Sequence, residues 1–291
     1  VQYKLAVGIP TVGRAGILRE TLTEIARQTR RPDRVFVCGT KPADVEGAAD
    51  VDSAAEILLC APGLPRQRNA ILAAAADADI VVFFDDDFLP EAGYLAEIER
   101  LMRDDPEIVV ATGRVVADGI GGPGLSAAEG RRLLQQAGAG TVGTRQVFSG
   151  YGCNMAVRVA PMRDNNILFD ERLPLYGWQE DVDLSCRLAV FGRVVQSEAV
   201  LGVHLGVKSG RASGVRLGYS QIANPLYLVR KRRGYPFGRA LKHVMRNLMM
   251  NVVRSTWPEH YVDRRGRLRG NLLAFRDLMT GRMDPERILE L

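Results

Sequence analysis

Three adjacent carboxylates, Asp85-Asp86-Asp87, directly follow the apolar run Ile80–Phe84. Like charges packed beside a buried strand repel one another and lose hydration, so the run is costly unless a cation compensates. A hard divalent ion such as Mg2+ or Mn2+ supplies that compensation and bridges to substrate phosphates. The competing use is an acidic turn that favours a helix dipole. The next helix pattern begins only after Pro90, so capping accounts for one Asp, and metal binding is the better reading. A second acidic group, Glu180-Asp181-Val182-Asp183, opens a helix pattern behind Gly177-Trp178. A carboxylate there suits a general base if it is free of strong ion pairing and within reach of a hydroxyl, although acids also gather at helix starts for electrostatic reasons alone. His204 stands just before the basic stretch Gly206-Val207-Lys208-Ser209-Gly210-Arg211, where a metal-and-diphosphate site would need it. A lone histidine is more often structural. Arg66 and Arg68 open an Ala-rich helix pattern, where guanidinium groups and helix-end amides can meet phosphate or base.

These groups need a frame, and the first half of the chain supplies one. Short apolar runs at 5–9, 35–38, 56–60, 80–84 and 108–111 read as strands, the first closed by Pro10-Thr11 and the second by Gly39. Helical spacing of apolar residues covers 15–29, 65–78 and 91–102 between them. The alternation predicts an α/β fold: a doubly wound, largely parallel sheet with helices on both faces. Ligands then sit beyond the C-terminal strand ends, where Pro10-Thr11, Cys38-Gly39 and the Asp run all fall. Residues 118–146 are Gly-rich and read as a surface insertion with a short helix at 126–136. A further helix spans 179–191. Residues 202–218 hold five glycines among Lys and Arg, the composition of a mobile phosphate-facing loop. Beyond it, residues 240–254 are amphipathic, with Leu241, Val244, Met245, Leu248 and Val252 on one face and Arg239, Lys242, His243, Arg246 and Arg254 on or near the other. The expected organisation is one α/β domain over 1–218, in two halves to about 117 and from about 145, followed by a basic helical extension over 219–291.

Of the 291 residues, 46% are hydrophobic and 25% charged, ordinary values for a globular chain with a sizeable core. Four scattered cysteines show no CxxC spacing, which argues against a disulfide framework or a zinc site. No run approaches the ~20 apolar residues that span a bilayer, and the N-terminus lacks a leader pattern, so a cytoplasmic location is expected. Charge is unevenly spread: from Gly206 onward there are 18 Lys and Arg against 6 Asp and Glu, although the whole chain carries only +5. Such a tail either meets something anionic, as at the inner face of a membrane, or is a solvated Arg-rich face. Gly8, Gly13 and Gly16 around the first strand do not make GxGxxG, there is no GxxxxGK[ST], and no GxSxG stands out, which argues against the dinucleotide, P-loop and serine-hydrolase readings.

Taken in order, the blocks resemble the inverting family 2 glycosyltransferases of the GT-A fold, over roughly residues 3–205. Val7-Gly8-Ile9-Pro10-Thr11 with Arg14 resembles the opening strand and nucleotide-binding turn. Gln28-Thr29 through Val37 resembles the approach to the second strand, and Arg68-Asn69-Ala70 the "RN.G" helix opening. Phe83-Phe84-Asp85-Asp86-Asp87 resembles the DxD motif, Gly150 through Ala156 the "G..NMA.R" segment near the acceptor, and Phe169-Asp170-Glu171 with 177–188 "FDE…EDVDL..RL". The resemblance implies a nucleotide-sugar donor, first of all a UDP-sugar, contacted by Pro10, Thr11, Arg14, Gly39, Arg68, Asp85, Asp86, Lys208 and Arg211. It implies Mn2+ or Mg2+ on Asp87, Asp85 and His204. Asp181 would be the catalytic base with Glu180 beside it, and Trp178 and Asn154 would face a saccharide or lipid-linked acceptor in surface-polysaccharide synthesis. No nucleic acid partner is expected. The family's acid just after the second strand is missing, the segment here being Cys38-Gly39-Thr40-Lys41. The alternatives are a sugar-nucleotide pyrophosphorylase, which uses a similar sheet, and a non-catalytic sugar or nucleic-acid binder.

Overall fold

The computed structural model describes residues 2–138, 140–208 and 213–291. The chain opens with β1 (Leu5–Pro10), α1 (Ala15–Ala26), β2 (Arg34–Gly39), the single turn α2 (Ala48–Val51), β3 (Glu56–Leu59), α3 (Leu64–Ala74) and β4 (Ile80–Phe84). It continues through β5 (Phe88–Pro90), α4 (Tyr94–Asp104), β6 (Ile108–Asp118), α5 (Ala127–Ala137), β7 (Thr144–Gln146) and β8 (Asn154–Arg158). The remainder is α6 (Val159–Asp164), α7 (Glu180–Leu188), β9 (Arg193–His204) and three long helices, α8 (Gly214–Lys231), α9 (Phe237–Arg254) and α10 (Arg264–Met279).

One sheet runs β3-β2-β1-β4-β8-β6-β9-β5, with β7 also paired to β9. The first four strands in that order are parallel, as is the β6–β9 pair, whereas β8 runs antiparallel to both β4 and β6. Side chains of a strand alternate between faces, and in this sheet both faces are covered. Leu5, Val7 and Ile9 pack with Ile80, Val82 and Phe84 under α1 and α4, through Leu18, Leu22, Ile25 and Ile98. Ala6, Val81 and Phe83 face the other way, onto Ile71 and Leu72 of α3 and Leu184 and Leu188 of α7. This explains why the N-terminal strands read as continuous apolar runs.

Three features differ from the sequence reading. Residues 118–146 hold the expected short helix, α5, but are not all insertion. β6 reaches Asp118, and α5 starts in a capping box in which Ser126 accepts from the Glu129 N–H and the Glu129 carboxylate accepts from the Ser126 N–H. Short β5, β8 and the long β9 carry no clean alternating pattern, and they complete the half of the sheet that the expectation lacked. The glycines of 202–218 are mostly contact points. A Cβ at Gly202 would stand 2.0 Å from the Phe88 ring, one at Gly218 2.1 Å from the Arg267 carbonyl oxygen, and one at Gly270 2.1 Å from that of Val215. Gly218 of α8 and Gly270 of α10 therefore let the two backbones come this close, while Gly214 and Gly266 both abut Asp263, just ahead of α10. Residues 209–212, Arg211 among them, lie outside the described residues.

The three C-terminal helices share a small core of Tyr219, Ile222, Val244 and Ala274. At their crossing, Asn251 donates to Gln221 (2.8 Å) and Asn271 (2.9 Å), and Asn271 donates to the Gly218 carbonyl (2.6 Å), so the buried amides are partnered. Among the described residues, no helix is long and apolar enough to cross a membrane.

Candidate active site

The aspartate run forms the turn between β4 and β5, closed by the Phe88 N–H on the Asp85 carbonyl (3.1 Å). Phe84 and Phe88 stack at 5.4 Å and Tyr94 abuts both rings, so the turn hangs from an aromatic clamp in the core. The three side chains then diverge. Asp86 turns back to the end of β1, where it accepts from the Thr11 hydroxyl (2.8 Å) and Arg14 (2.9 Å). Burial raises its pKa to about 7, against the pull of Arg14. Asp86, Thr11 and Arg14, with buried Pro10, thus brace the β1 turn. Asp85 and Asp87 point across the strand ends toward His204.

Asp85, Asp87 and His204 each offer a ligand atom, and these atoms lie within 4.8 Å of one another. His204, at the end of β9, contacts Asp118 through Nδ1 at 2.9 Å, leaving Nε2 3.4 Å from Asp87. Burial works against charge on the imidazole, but the hydrogen bonds to Asp118 and Asp87 outweigh it and lift its pKa to about 10. Burial likewise pushes up the Asp87 and Asp118 carboxyls, and the histidine more than offsets this, so both end below the usual range. In this arrangement a proton serves as the cation between two carboxylates. Two carboxylate oxygens plus an imidazole nitrogen, its far nitrogen fixed by a second carboxylate, is a donor set that fits Mn2+ or Mg2+. Asp118, itself held by the Tyr151 hydroxyl (2.8 Å), was missed in the sequence. The available signal was a carboxylate ending the run Val115-Val116-Ala117, as Asp85 ends Ile80–Phe84.

On the opposite wall, the segment before α7 is tightly bent: Leu175, Gly177 and Gln179 all have positive φ (58°, 62° and 71°). Left-handed non-glycine residues cost energy and persist where the surroundings impose them. Here the Trp178 carbonyl accepts from Asn224 of α8 (2.8 Å), and the Gln179 amide meets the Tyr235 hydroxyl (3.2 Å) and His243 of α9 (3.3 Å). The half-buried Trp178 ring stands edge-on to His243 at 6.2 Å.

The acids of α7 separate by partner. Asp183 is ion-paired with Lys231 (2.5 Å), and Glu180 with Arg68 (2.5 Å). Asp181 accepts only backbone N–H groups, from Gly152 (2.9 Å) and Val182 (2.8 Å), and among the described residues it has no ion pair. It is also the only one of the three that is not fully buried. Burial raises its pKa, opposed by the Gly152 N–H and by Arg68. Burial lifts Glu180 further, to about 8 despite Arg68, and its second carboxylate oxygen has no hydrogen-bond partner. Arg68 is wholly buried between the Phe83 and Phe169 rings. Besides Glu180 it reaches Asp85 (3.2 Å) and the Gly152 carbonyl (2.7 Å).

The remaining expected contacts are differently employed. Asn154, expected beside the acceptor, is fully buried, its amide spent on Thr112 and the Gly113 carbonyl, so it ties β8 to β6. Lys208 donates to the Gly119 and Ile120 carbonyls, both at 3.0 Å, rather than lying on an open loop. Arg66 is solvent-facing, near Glu171 (3.4 Å). Gly39 ends β2 as expected, but Thr40 is spent on Asp44, donating through its N–H (2.9 Å) and hydroxyl (2.6 Å). Asp44 also accepts from Gly13 (2.9 Å), so this wholly buried acid knits the β1 and β2 turns together.

The family model described as "Glycosyl transferase family 2" matches residues 6–164, more than half of the chain. No curated protein matches by sequence. Among solved structures, the mannosyltransferase PcManGT from Pyrobaculum calidifontis, in complex with GDP-Man and Mn2+, superposes with a TM-score of 0.57 at 16% identity, covering 99% of this chain and 86% of that one. S. aureus TarS 1–349 gives 0.57 at 15% identity, covering 98% and 82%. GalNAc-T7 with UDP, GalNAc and Mn2+ gives 0.58 at 12% identity, covering 99% of this chain and 56% of its own. Against the longer TarS chain the match covers 76% of this chain and 40% of that one, at a TM-score of 0.52. At these identities the likeness establishes a shared fold.

Proposed function

The chain belongs to glycosyl transferase family 2, and on that premise we propose that it is an inverting, metal-dependent enzyme. It moves a sugar from a nucleoside-diphosphate donor, first of all a UDP-sugar, to a hydroxyl of a saccharide or lipid-linked acceptor in surface-polysaccharide synthesis. It works in the cytoplasm, at the inner membrane face. The observation that carries this reading is the three-ligand set (Asp85, Asp87, His204) together with Asp181, a carboxylate that among the described residues forms no ion pair.

Single displacement with inversion needs one base, on the side of the anomeric carbon away from the leaving group. Asp181 is supplied as such a group. Its two backbone hydrogen bonds fix the carboxylate plane, and each oxygen keeps a lone pair for the acceptor hydroxyl. Its raised pKa makes it a better proton acceptor than a surface aspartate, and general-base help of this kind is worth about 10²–10⁴ in rate. As the acceptor oxygen bonds to the anomeric carbon, its proton passes to Asp181 and the bond to the diphosphate oxygen breaks. Glu180, fixed by Arg68, positions the first turn of α7, while the Trp178 ring offers an apolar face to a sugar. Thr11, Arg14 and Gly39 border the donor side. Bound to Asp85, Asp87 and His204, Mn2+ or Mg2+ would neutralise charge on the departing diphosphate.

A panel of sugar nucleotides, screened by thermal stabilisation and by slow hydrolysis with and without Mn2+, tests the proposal. One donor should stabilise the protein only when the ion is present, and Asp87→Ala should abolish that response. Stabilisation that survives Asp87→Ala unchanged would sink the metal assignment.

A further inference from the structure

The long helix α9 shows two unlike sides. Ala240, Val244 and Asn251 are buried against α8 and α10. The outward side repeats large apolar residues about one turn apart: Phe237, Leu241, Met245, Met249 and Val253, with exposures of 47–65%, followed by Trp257 at 79%. The structure thus divides the apolar set read from the sequence, turning Val244 inward and leaving Leu241, Met245 and Val252 in solvent. α9 contains no acidic residue, and Arg239, Lys242 and Arg246 line the same exposed side. Among the described residues none of these three pairs with a carboxylate; Arg239 lies over the Phe148 ring at 3.8 Å.

We infer that this face of α9 docks on an anionic phospholipid bilayer. A solvent-facing helix ordinarily mixes charges of both signs and few large apolar groups, whereas an apolar band flanked only by cations is what a helix lying in the headgroup region requires. Methionine, valine, leucine and aromatic side chains enter the acyl boundary, while Lys242 and Arg246 meet lipid phosphates. A second copy of this chain fits worse, because an isologous contact would bring two sets of cations together. A nucleic acid would leave the apolar band in water.

The location gives the docking a purpose. The adjoining edge of α9 carries His243, which touches Trp178 and Gln179 immediately ahead of the acids of α7. A bilayer on the outer side of α9 therefore lies next to the acceptor side of the cleft; this last step rests on the glycosyltransferase reading, and the docking itself does not.

Co-sedimentation of the full chain with vesicles tests the inference. Binding is expected to phosphatidylcholine vesicles containing phosphatidylglycerol, to fall with rising salt, and to be weak on phosphatidylcholine alone. Met245→Ser/Met249→Ser/Val253→Ser changes only exposed positions and should weaken binding tenfold or more. Lys242→Gln/Arg246→Gln should cost about fivefold per charge and blunt the salt dependence. Circular dichroism melts and Mn2+-dependent donor stabilisation, which needs no membrane, should stay at wild-type values in both variants. Equal binding to neutral and anionic vesicles, or unaltered binding by the triple variant, would overturn the assignment. So would a dimer in light scattering that the triple variant splits while vesicles go unbound. Loss of donor chemistry with vesicle binding intact would instead remove the enzymatic reading and leave the docking face standing.

Discussion

The candidate active-site cleft and the helices α8 to α10 handle charge in opposite ways. In the cleft, Asp85, Asp86, Asp87, Asp118, Glu180 and Asp181 face Arg14, Arg68 and His204 among the described residues, nearly all with hydrogen-bond partners at fixed distances. On the outer helix, cations point into solvent beside apolar groups, with little to hold them. An inward surplus of one sign calls for a small counter-ion that fits between ligands, while an outward surplus calls for a surface. The first situation therefore predicts chemistry sensitive to single atoms, and the second predicts effects that build up gradually over several residues.

Under the proposed mechanism, the sharpest break in this contrast is Asp181→Asn. It keeps the shape and loses basicity, so turnover should fall by about 10²–10⁴ while donor-and-metal stabilisation persists. Normal turnover would mean that the cleft's acids are packing charges like those elsewhere. A smaller effect is expected from Asp118→Asn. The imidazole loses the carboxylate that orients it, and Mn2+ affinity, read by titration calorimetry, should weaken about 10- to 100-fold with the fold intact. Unchanged affinity would place His204 outside the ion's ligands. The mildest test lies in the helical region. Hydrogen bonds from Arg264 hold Glu259 down to about 2, with Arg254 adding attraction. Its folded value is below the ordinary one near 4.5, so its stabilisation is present above that pH and fades as pH falls toward 2. Glu259→Gln should lower the melting temperature by a few degrees at neutral pH and flatten its fall in acid; an unchanged acid limb would show that the pair contributes nothing.

Legibility followed the same divide between short and long range. β1, β2 and β4 were readable because both sheet faces are buried there, so each strand is an apolar run stopped by Pro, Gly or Asp. The carboxylates at the end of β4 could be placed for the same reason, and those of α7 because they open a helix pattern behind Gly177-Trp178. β9 could not, because Gln196, Ser197, Glu198 and Gly202 interrupt it, and its pairing to β6 is broken by register shifts. With β9 went the partner of His204, and Asp118 stayed unseen. The inward turn of Asn154 was not legible, because a motif position says nothing about which way an amide turns. Glycines four apart read as a loop, since the close approach of α8 to α10 exists only in three dimensions.

Arg68 touches Asp85 on one side and Glu180 on the other. Any event that changes the charge at Asp85 alters what the guanidinium offers to Glu180, and the proton affinity of Glu180 must respond. Such coupling is reciprocal. If a divalent ion on Asp85 shifts the titration of Glu180, then the protonation of Glu180 shifts the affinity for the ion by the same factor. On the proposed mechanism, ion binding and the protonation of Glu180 would thereby become two readings of one equilibrium, linked through a side chain that is wholly buried.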